Sequence, residues 1–571
     1  MEIERISTVK IEEVDRISAL PVLLLQHIMS FLPFKQVVQT SILSKTWHQA
    51  WHSFPVLQFD ETFFTRDLRD YKYIDLIETD DDDDDDNGNH QGVQGGRGTG
   101  SSRPKVLIRD TELSQSRIKR LFNYVEQNLR NRHQDMINLK KFVLDMDSSV
   151  DQNFTSSVDS CLCSAVQSGV EELQLKFTYT IRKDWLYDLP QVVLCSKSIN
   201  VLVLGCCKLV SPASQVILHR LRKLCLYRVY VDDNVIENVV AHCRYIEYLS
   251  LDSCDGFKSL ELIGHRKLLE IKLKNNEKLE WVKIEAPNVH SIYIQGLVEI
   301  VLGSCMNLKV LMLSMASITD VWLHYQILEF PLLESLRLFG CDNLESVTIS
   351  SDSLNGLYIS SCKKLVGVKI KTPNLSKFQY RGDLVSFSLD ALIVLETHLE
   401  FFSENMDTEW HVKCVEVLAQ FHRFSKKLNL ISESGEALIV PSELRQILHP
   451  PLCSAKHVMV SITMPGMGFV IKNTVDALLW ISPHAETITI KCYNYMFCFK
   501  FSYAKEVIYE GESCCCCKSL PVSCWQRCIK EVEIEITNSE LQKGNNLKRL
   551  TFECEEAIWE LFDRLTDELV F

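Results

Sequence analysis

The amino-acid sequence predicts an α/β protein in which a small all-α domain at the N-terminus is followed by a β-rich solenoid. Three observations lead to this prediction: a proline-punctuated apolar segment near the N-terminus, an acidic and glycine-rich break, and a strand pattern that recurs along the remaining chain. At 571 residues the chain is too long for one ordinary hydrophobic core. We therefore expect several domains or one elongated repeat array.

The composition excludes some classes of protein. The chain is 46% apolar and 24% charged, which is ordinary for a globular protein. Its net charge of −14 argues against sequence-independent nucleic-acid binding, which requires a basic surface. The first ten residues lack the apolar core of a secretory signal, and no apolar run is long enough to span a membrane. We therefore expect no membrane association and a location in the cytoplasm and/or nucleus, where the 22 cysteines stay reduced.

Residues 17–60 predict the all-α domain. Three short helices are expected there, at Val22–Phe31, at Phe34–Ser41 and from Leu43 onward. Pro21 suits the first turn of a helix and Pro33 cannot continue one, so the two prolines delimit the first helix. Trp47 and Trp51 lie four residues apart, on one face of the third helix. Because so few residues cannot cover this much apolar surface, part of it is expected to contact a partner.

Two polar segments flank this domain. Residues 1–16 form a charged lead-in, and residues 78–104 are predicted to be a disordered loop. The loop contains an unbroken acidic run, Asp80–Asp86, and a glycine-rich tract, neither of which can bury apolar surface. Calcium binding by the run is a weaker alternative, since it lacks the spaced ligands and turn glycine of an EF-hand loop.

Residues 105–390 repeat one pattern, a short strand with alternating apolar residues followed by a turn. The copies are Leu139–Leu144, Leu173–Leu175, Leu202–Cys206, Leu224–Leu226, Leu249–Cys254, Ile271–Leu273, Ile292–Ile294, Leu311–Leu313, Leu336–Cys341, Leu357–Cys362 and Phe378–Tyr380. Their spacing of roughly 19–25 residues matches leucine-rich repeats. One such strand cannot bury its apolar face alone, so stacked copies should form a parallel sheet in a horseshoe.

Two further features belong to these repeats. A second strand-like phrase occurs at Leu279–Val289, Leu344–Ile349 and Leu365–Leu375, which predicts β-structure on the convex side too. The cysteines that end several strands are interpreted as structural residues packed in the turns, with at most a weak hydrogen-bond donor. They are Cys206, Cys254, Cys341 and Cys362.

Residues 391–571 are interpreted as degenerate repeats, with a separate C-terminal domain as the alternative. Helices are predicted at His411–Phe424 and Glu555–Asp567. Strands are expected at Lys427–Ile431, His457–Thr463, Thr487–Lys491, Lys530–Ile536 and Leu547–Phe552. A cysteine cluster, Cys514–Cys517 with Cys524 and Cys528, raises the question of zinc. Because four adjacent cysteines cannot easily face one ion, free thiols are favoured and no metal site is predicted.

Three motifs follow one another within the N-terminal segment. They are Leu20-Pro21, then Ile28-Met29-Ser30-Phe31-Leu32-Pro33, then Ser41-Ile42-Leu43-Ser44-Lys45-Thr46-Trp47. Together they resemble the F-box of plant F-box/leucine-rich-repeat proteins, and the repeats behind them resemble the same family. One departure is at Val22 and Leu23, where the family often carries acidic residues that favour a helix N-terminus.

The resemblance implies a non-catalytic substrate receptor that needs no cofactor. The F-box would dock a Skp-type adaptor of a Skp–cullin–F-box ubiquitin ligase, and the repeats would bind a target protein. The residues expected to contact the adaptor, or to support that surface directly, are Leu20, Pro21, Ile28, Leu32, Pro33, Val38, Leu43 and Trp47. The alternative is a non-degradative scaffold or small-molecule receptor whose F-box is vestigial.

Overall fold

The structure, a computed structural model, describes most of the chain in segments. These are residues 17–60, 71–75, 105–109, 111–146, 154–177, 186–210, 216–390, 394–402, 406–421, 425–433, 435–445, 447–453, 455–464, 471–503, 529–538 and 548–552. The predicted lead-in, the acidic and glycine-rich loop, the cysteine cluster at 514–528 and the helix at Glu555–Asp567 lie outside the described residues. The chain divides into two compact units, Met1–Cys243 and Arg244–Phe571.

The first unit begins with three helices and continues with strands. Its helices are α1 Val22–Met29, α2 Phe34–Thr40, α3 Lys45–His52, α4 Thr111–Gln134, α5 Thr155–Gln167, α6 Gln191–Leu194 and α7 Asp233–His242. Its strands are β1 Val56–Asp60, β2 Tyr71–Asp75, β3 Lys105–Arg109, β4 Lys141–Met146, β5 Glu172–Phe177, β6 Tyr187–Asp188, β7 Val201–Gly205, β8 Cys207–Leu209, β9 Lys223–Tyr227 and β10 Tyr230–Val231.

The sheet of the first unit starts immediately after the N-terminal helices. Strands β1, β4, β5, β7 and β9 pair side by side in parallel. Strands β6, β8 and β10 form a short parallel sheet, and β2 pairs with β3 in an antiparallel hairpin. Helices α4 and α5 precede β4 and β5, as parallel strands require a crossover between them.

The second unit contains most of the repeats. Its strands up to the end of the regular array are β11 Tyr248–Asp252, β12 Ser259–Ile263, β13 Glu270–Lys274, β14 Trp281–Glu285, β15 Ser291–Gln295, β16 Glu299–Gly303, β17 Val310–Ser314, β18 Ser335–Phe339, β19 Ser346–Ser350, β20 Gly356–Ser360, β21 Gly367–Lys371, β22 Lys377–Gly382 and β23 Ser386–Asp390. One helix interrupts them, α8 Asp320–Glu329.

These strands form two layers. Strands β11, β13, β15, β17, β18, β20 and β22 build a long parallel sheet, and β12–β14–β16 and β19–β21–β23 build two short parallel sheets. Burial alternates along the strands, as in β13, where Ile271 and Leu273 are buried and the other residues are partly exposed. The second layer of strands confirms the sequence prediction at all three phrases.

Helix α8 takes the place of a strand between the two short sheets. The Trp322 indole Nε1–H donates to the Ile300 carbonyl of β16, at 2.9 Å. On the other side, the Asp320 carboxylate accepts hydrogen bonds from the backbone N–H groups of Glu345 and Ser346, at 3.0 and 2.9 Å. Helix α8 therefore provides hydrogen-bond partners for backbone groups at the facing edges of both short sheets. These groups lack a strand to pair with at those edges.

The turns after the long-sheet strands hold the predicted structural cysteines. Cys206, Cys254, Cys341 and Cys362 are all buried, which confirms their packing role. The preceding residue in the last three turns has a positive φ, for example 56° at Ser253 and 57° at Ser361. In the neighbouring turn, the Asn276 side chain accepts from the Cys254 backbone N–H and donates to the Leu251 carbonyl. An amide at this place forms stronger hydrogen bonds to the backbone than a cysteine thiol can.

The remaining strands include a departure from the predicted pattern. The elements are β24 Val394–Phe401, α9 Thr408–Ala419, β25 Ser425–Ser432, a 3-10 turn Glu436–Leu438, α10 Ser442–Arg445, β26 His457–Ile462, α11 Ile471–Ile481, β27 Thr487–Cys492, β28 Tyr495–Tyr503, β29 Ile529–Asn538 and β30 Lys548–Phe552. Strands β22 and β24–β27 pair in parallel, but β27–β30 pair antiparallel. Only Tyr493 and Asn494 connect β27 to β28, which is too short for a parallel crossover.

Candidate protein-binding site in the N-terminal helices

The three N-terminal helices begin where the sequence predicts. Pro21 and Pro33 directly precede α1 and α2, each with a φ near −55° that suits entry into a helix. The Ser44 hydroxyl caps α3 by accepting the Trp47 backbone N–H, at 3.3 Å. The same hydroxyl lies 2.9 Å from the Ser18 hydroxyl, which joins the start of α3 to the segment before α1.

A small core holds the helices together. Leu25 and Met29 of α1, Val37 of α2, and Ala50 and Trp51 of α3 are buried. The Gln26 side chain joins α1 to the end of α3 by donating to the Ser53 hydroxyl, at 2.9 Å. This core uses one face of each helix, so the opposite faces are left for solvent or a partner.

An unusual number of apolar side chains are exposed on α1 and in the segments that flank the helices. Seven large apolar side chains are exposed, namely Ile17, Leu23, Leu24, Ile28, Phe31, Ile42 and Leu43. Leu23, Phe31 and Ile42 are 78%, 75% and 84% exposed. Leu24, Ile28 and Phe31 follow one another at helical spacing, and Phe31 also contacts the His27 ring edge to face, with ring centroids 5.0 Å apart. Such density of exposed apolar side chains is typical of a protein-binding surface.

The structure distributes the eight predicted contact residues over three environments. Pro21, Ile28, Pro33 and Leu43 are exposed. Leu20, Leu32 and Val38 are partly buried. Trp47 is buried, at 7% exposure, so it supports the surface from beneath and is not itself part of it. The four exposed residues are therefore the members of the set that a partner can reach directly.

Sequence reasoning missed several exposed apolar residues of this domain. Ile17, Leu23, Leu24, Phe31 and Ile42 are exposed but lie outside the set of eight predicted contacts. A signal for two of them was present, because Leu24 and Phe31 share the helical face of Ile28. Ile42 lies in the turn between α2 and α3, where periodicity gives no information.

The N-terminal helices are joined to helix α4 of the same unit by a buried arginine. Helix α4 buries Leu121, Val125, Leu129 and Arg132 along one face, at helical spacing. The Arg132 guanidinium donates to the Trp51 carbonyl at 3.0 Å and to the Phe54 carbonyl, both at the end of α3. It also lies over the Trp51 ring, 5.4 Å from the centroid.

Burial affects the Arg132 charge without removing it. Loss of solvent lowers the pKa of Arg132 to about 10, so the guanidinium remains protonated at neutral pH. In these contacts its partners are backbone carbonyls, that of Trp51 in the last turn of α3 and that of Phe54 just after the helix, where a cation is favourable.

Aromatic rings extend the same junction. The Phe34 ring contacts Trp51 and Phe59 edge to face, at centroid distances of 5.6 and 5.3 Å. The Phe59 ring of β1 in turn contacts Tyr124 of α4. The N-terminal helices therefore continue into the core of the first unit and are not joined to it by a loose linker.

No group of three or more histidine, cysteine, aspartate or glutamate side chains that could hold a metal occurs in the described part of the chain.

Among the described helices, none is long and apolar enough to cross a membrane.

Comparisons with known proteins match both parts of this architecture. The F-box domain model matches residues 17–59, which contain the three helices and their exposed apolar side chains. The model described as "At1g61320/AtMIF1, LRR domain" matches residues 129–311 and 299–449, which together cover more than half of the chain.

Individual relatives in Arabidopsis thaliana show the same two parts. The F-box/LRR-repeat protein At3g03360 is 23% identical over 63% of this chain and 64% of its own length. The F-box/LRR-repeat protein At3g26922 is 56% identical, but over 46 residues, 8% of this chain and 15% of its own. A relative whose name describes it as an F-box protein, At1g49610, is 25% identical over 50% of this chain and 57% of its own. The chain thus spans about half to two thirds of the length of these longer-matching relatives.

An F-box helical domain packed against leucine-rich repeats defines an adaptor-type class of protein. The chain belongs to the F-box/leucine-rich-repeat protein family of plants.

Proposed function

We propose that this chain is the substrate-recognition subunit of a Skp–cullin–F-box ubiquitin ligase. In this role the F-box docks a Skp-type adaptor, and the repeats hold a target protein near the ubiquitin-conjugating machinery. The observation that carries the proposal is the set of seven exposed apolar side chains in helix α1 and the segments that flank the F-box helices. An isolated domain gains nothing from exposing them, whereas a partner that covers them gains roughly 1.5–3 kcal/mol for each fully buried side chain.

The proposed contact set combines the sequence prediction with the exposure of each residue. Pro21, Ile28, Pro33 and Leu43 are predicted contacts that are also exposed. Leu23, Phe31 and Ile42 join them because they are the most exposed apolar side chains of the domain. Leu20, Leu32, Val38 and Trp47 act beneath this surface by holding it in place.

The mechanism needs no catalytic group on this chain. A receptor accelerates ubiquitin transfer by raising the effective concentration of the target and by orienting it. Orientation requires a firm connection between the docking helices and the body that follows. Arg132 and the rings of Phe34 and Phe59 supply such a connection within the first unit. The cullin, the target protein and a location in the cytoplasm and/or nucleus are parts of this proposal.

A binding experiment with the purified full chain and a Skp-type adaptor tests the docking step. Replacing Leu20 and Pro21 together by alanine should weaken adaptor binding by at least about tenfold, as measured by isothermal titration calorimetry. Leu297→Ala is the matched control, because Leu297 is 81% exposed but lies in the repeats. If the double variant and the control bind the adaptor equally well, the proposed F-box interface is wrong.

The scaffold or small-molecule-receptor alternative makes the opposite prediction. A vestigial F-box would leave the full chain unable to bind any Skp-type adaptor, while its cellular role would survive the Leu20 and Pro21 substitutions. Deleting residues 1–60 is a poor way to separate the two cases, since it also removes β1, which pairs with β4. The substitutions at Leu20 and Pro21 retain β1 and its pairing with β4.

A further inference from the structure

One stretch of the long sheet in the second unit differs in charge from its surroundings. Strands β15, β17, β18 and β20 are neighbours, each of five residues, and Arg337 is the only charged residue in them. The strands on either side carry ion pairs. Lys272 of β13 lies 2.6 Å from the Glu270 carboxylate, and Arg381 of β22 lies 3.1 Å from the Glu400 carboxylate. The charges on both sides are thus internally balanced, whereas the charge of Arg337 is not.

The outward row that contains Arg337 is apolar and aromatic. The strand register aligns Tyr293, Met312, Arg337 and Tyr358 across four neighbouring strands. Their inward neighbours are buried leucines and isoleucines, so these four side chains point away from the core. Tyrosine, methionine and arginine are the residue types that are enriched where proteins bind one another.

Arg337 is held in position by an aromatic ring and lacks an acceptor. Its guanidinium carbon lies 4.8 Å from the centroid of the Tyr358 ring. Its Nε–H is shielded from solvent and has no hydrogen-bond partner among the described residues. A shielded donor without an acceptor destabilises the protein, so an acceptor brought by a ligand would be bound more strongly than at a solvated arginine.

The space around Tyr358 is shaped by a glycine. A Cβ atom at Gly356 would lie 3.1 Å from the Tyr358 ring, which is closer than such contacts normally come. The ring therefore lies along its own strand above Gly356, and supports the guanidinium from the side. Phe339, on the same face as Arg337, has Ser314 and Ser360 as its neighbours in the register, so both of its cross-strand neighbours are small.

We infer that this face, Arg337 with Tyr293, Met312, Phe339 and Tyr358, binds a target-protein segment in which an aspartate or glutamate stands beside an apolar side chain. The carboxylate would accept from the Arg337 fork in a bidentate manner, and the apolar neighbour would pack on Phe339 or Met312. Charge complementarity selects this occupant, because the four strands offer one unbalanced cation and no carboxylate. The inference rests on the proposed function for the role of the segment as a recognition signal.

Synthetic peptides provide the test. The full chain is immobilised and probed with a peptide set in which one central position is Glu, Gln, phosphoserine or Lys, next to Phe or Leu. We expect Glu peptides to bind about tenfold to a hundredfold more tightly than the matched Gln peptides, as for other charge-assisted hydrogen bonds. Arg337→Gln should abolish that preference, and Arg337→Glu should shift it toward Lys peptides.

The control removes the same charge elsewhere. Lys369 is exposed in the middle of β21, in a short sheet, so Lys369→Gln should leave the preference for Glu peptides unchanged. Both variants change partly or fully exposed positions, and equal melting temperatures would confirm that both fold. Absence of a Glu preference, or its survival in Arg337→Gln, would overturn the inference. A preference confined to phosphoserine would also overturn it, by assigning the site to phosphate.

Adaptor binding is measured on the same Arg337 variants and should be unchanged. If no Skp-type adaptor binds while the Glu preference depends on Arg337, the ligase proposal fails and the peptide site stands. If the adaptor binds but the Glu preference is absent, the peptide site alone fails.

Discussion

Apolar side chains are placed differently in two regions of the molecule. These regions are strands β11–β22 of the long sheet and helices α1–α3 of the F-box. In the long sheet, the leucines and isoleucines of the strands point inward and are buried, as at Leu311 and Leu313, and the outward Met312 and Phe339 are partly buried. In the F-box, seven large apolar residues remain exposed beside a core of only a few side chains. The repeats therefore bury the apolar side chains of their core by stacking on one another. The F-box instead leaves part of its apolar surface for a partner to cover.

The difference separates stability from binding. Substitutions at inward positions of the repeats should change the free energy of unfolding and leave adaptor affinity alone. Substitutions at exposed F-box positions should weaken adaptor binding and leave the free energy of unfolding nearly unchanged. Four experiments test this separation, beginning with the largest expected effect.

Leu313→Ala should lower the free energy of unfolding by about 2–5 kcal/mol, because it opens a cavity among residues that cannot fully collapse. Leu313 is fully buried in β17, and its neighbour Ser314 faces outward. Ser314→Ala is the matched control and should change stability by less than about 0.5 kcal/mol. Urea unfolding followed by circular dichroism makes the comparison, and similar losses in both variants would contradict the inward assignment.

Arg132→Met should destabilise the first unit by about 2–4 kcal/mol, because the Phe54 carbonyl loses the guanidinium donor and the Trp51 carbonyl keeps only its backbone donor, the Phe54 N–H. The carbonyls belong to Trp51 and Phe54, at the junction between the F-box and α4. Arg130→Met is the control, since Arg130 is exposed and pairs only with Glu126 on the same helix. Hydrogen exchange over residues 45–60 would locate the effect, and unchanged protection there would show that Arg132 does not fix the junction.

Replacing Phe31 and Ile42 together by serine should weaken adaptor binding by at least about thirtyfold, equivalent to about 2 kcal/mol. Their 75% and 84% exposure means that the folded domain should lose little stability. Calorimetric titration with the adaptor gives the affinity, and a thermal melt gives the stability. A large drop in melting temperature with unchanged affinity would reverse the comparison between the F-box and the repeats.

His265 should make the second unit less stable in acid, by a smaller amount. It is almost fully buried after β12, and burial with the nearby Arg244 charge lowers the pKa of His265 below its ordinary value. His265 therefore binds a proton more readily in the unfolded chain than in the folded protein. The stability that neutral His265 contributes is fully present above its unfolded pKa of about 6.5 and is lost as the pH falls through the lower folded-state pKa.

Urea unfolding at neutral pH and at pH values below about 6 measures this loss. His265→Gln should reduce the acid-induced drop, whereas His290→Gln, at an exposed position, should not. An identical drop in wild type and His265→Gln would assign the acid sensitivity to other groups.

Particular elements show how far the sequence could predict the fold. The strand phrases at Leu279–Val289 and Leu365–Leu375 predict strands that the structure contains, because period-two alternation reflects which face is buried. Strand β28 escaped prediction, since both of its neighbours pair antiparallel with it in a region that was interpreted as parallel repeats. The helical insert α8 also escaped prediction, and its role depends on two sheet edges that are distant from it in sequence.

The amino-acid sequence by itself determined the class of this protein and the starts of helices α1 and α2. Prolines and periodicity act between residues a few positions apart, so Pro21 and Pro33 mark these two helix starts without tertiary information. Tertiary structure alone decided which apolar residues are covered. Trp47, which the sequence predicts to contact the adaptor or to support that surface, is buried, whereas Phe31 and Ile42 lie outside the predicted set and are exposed. Burial depends on residues far apart in the chain, such as Arg132 over Trp51, and local sequence patterns carry no record of such neighbours.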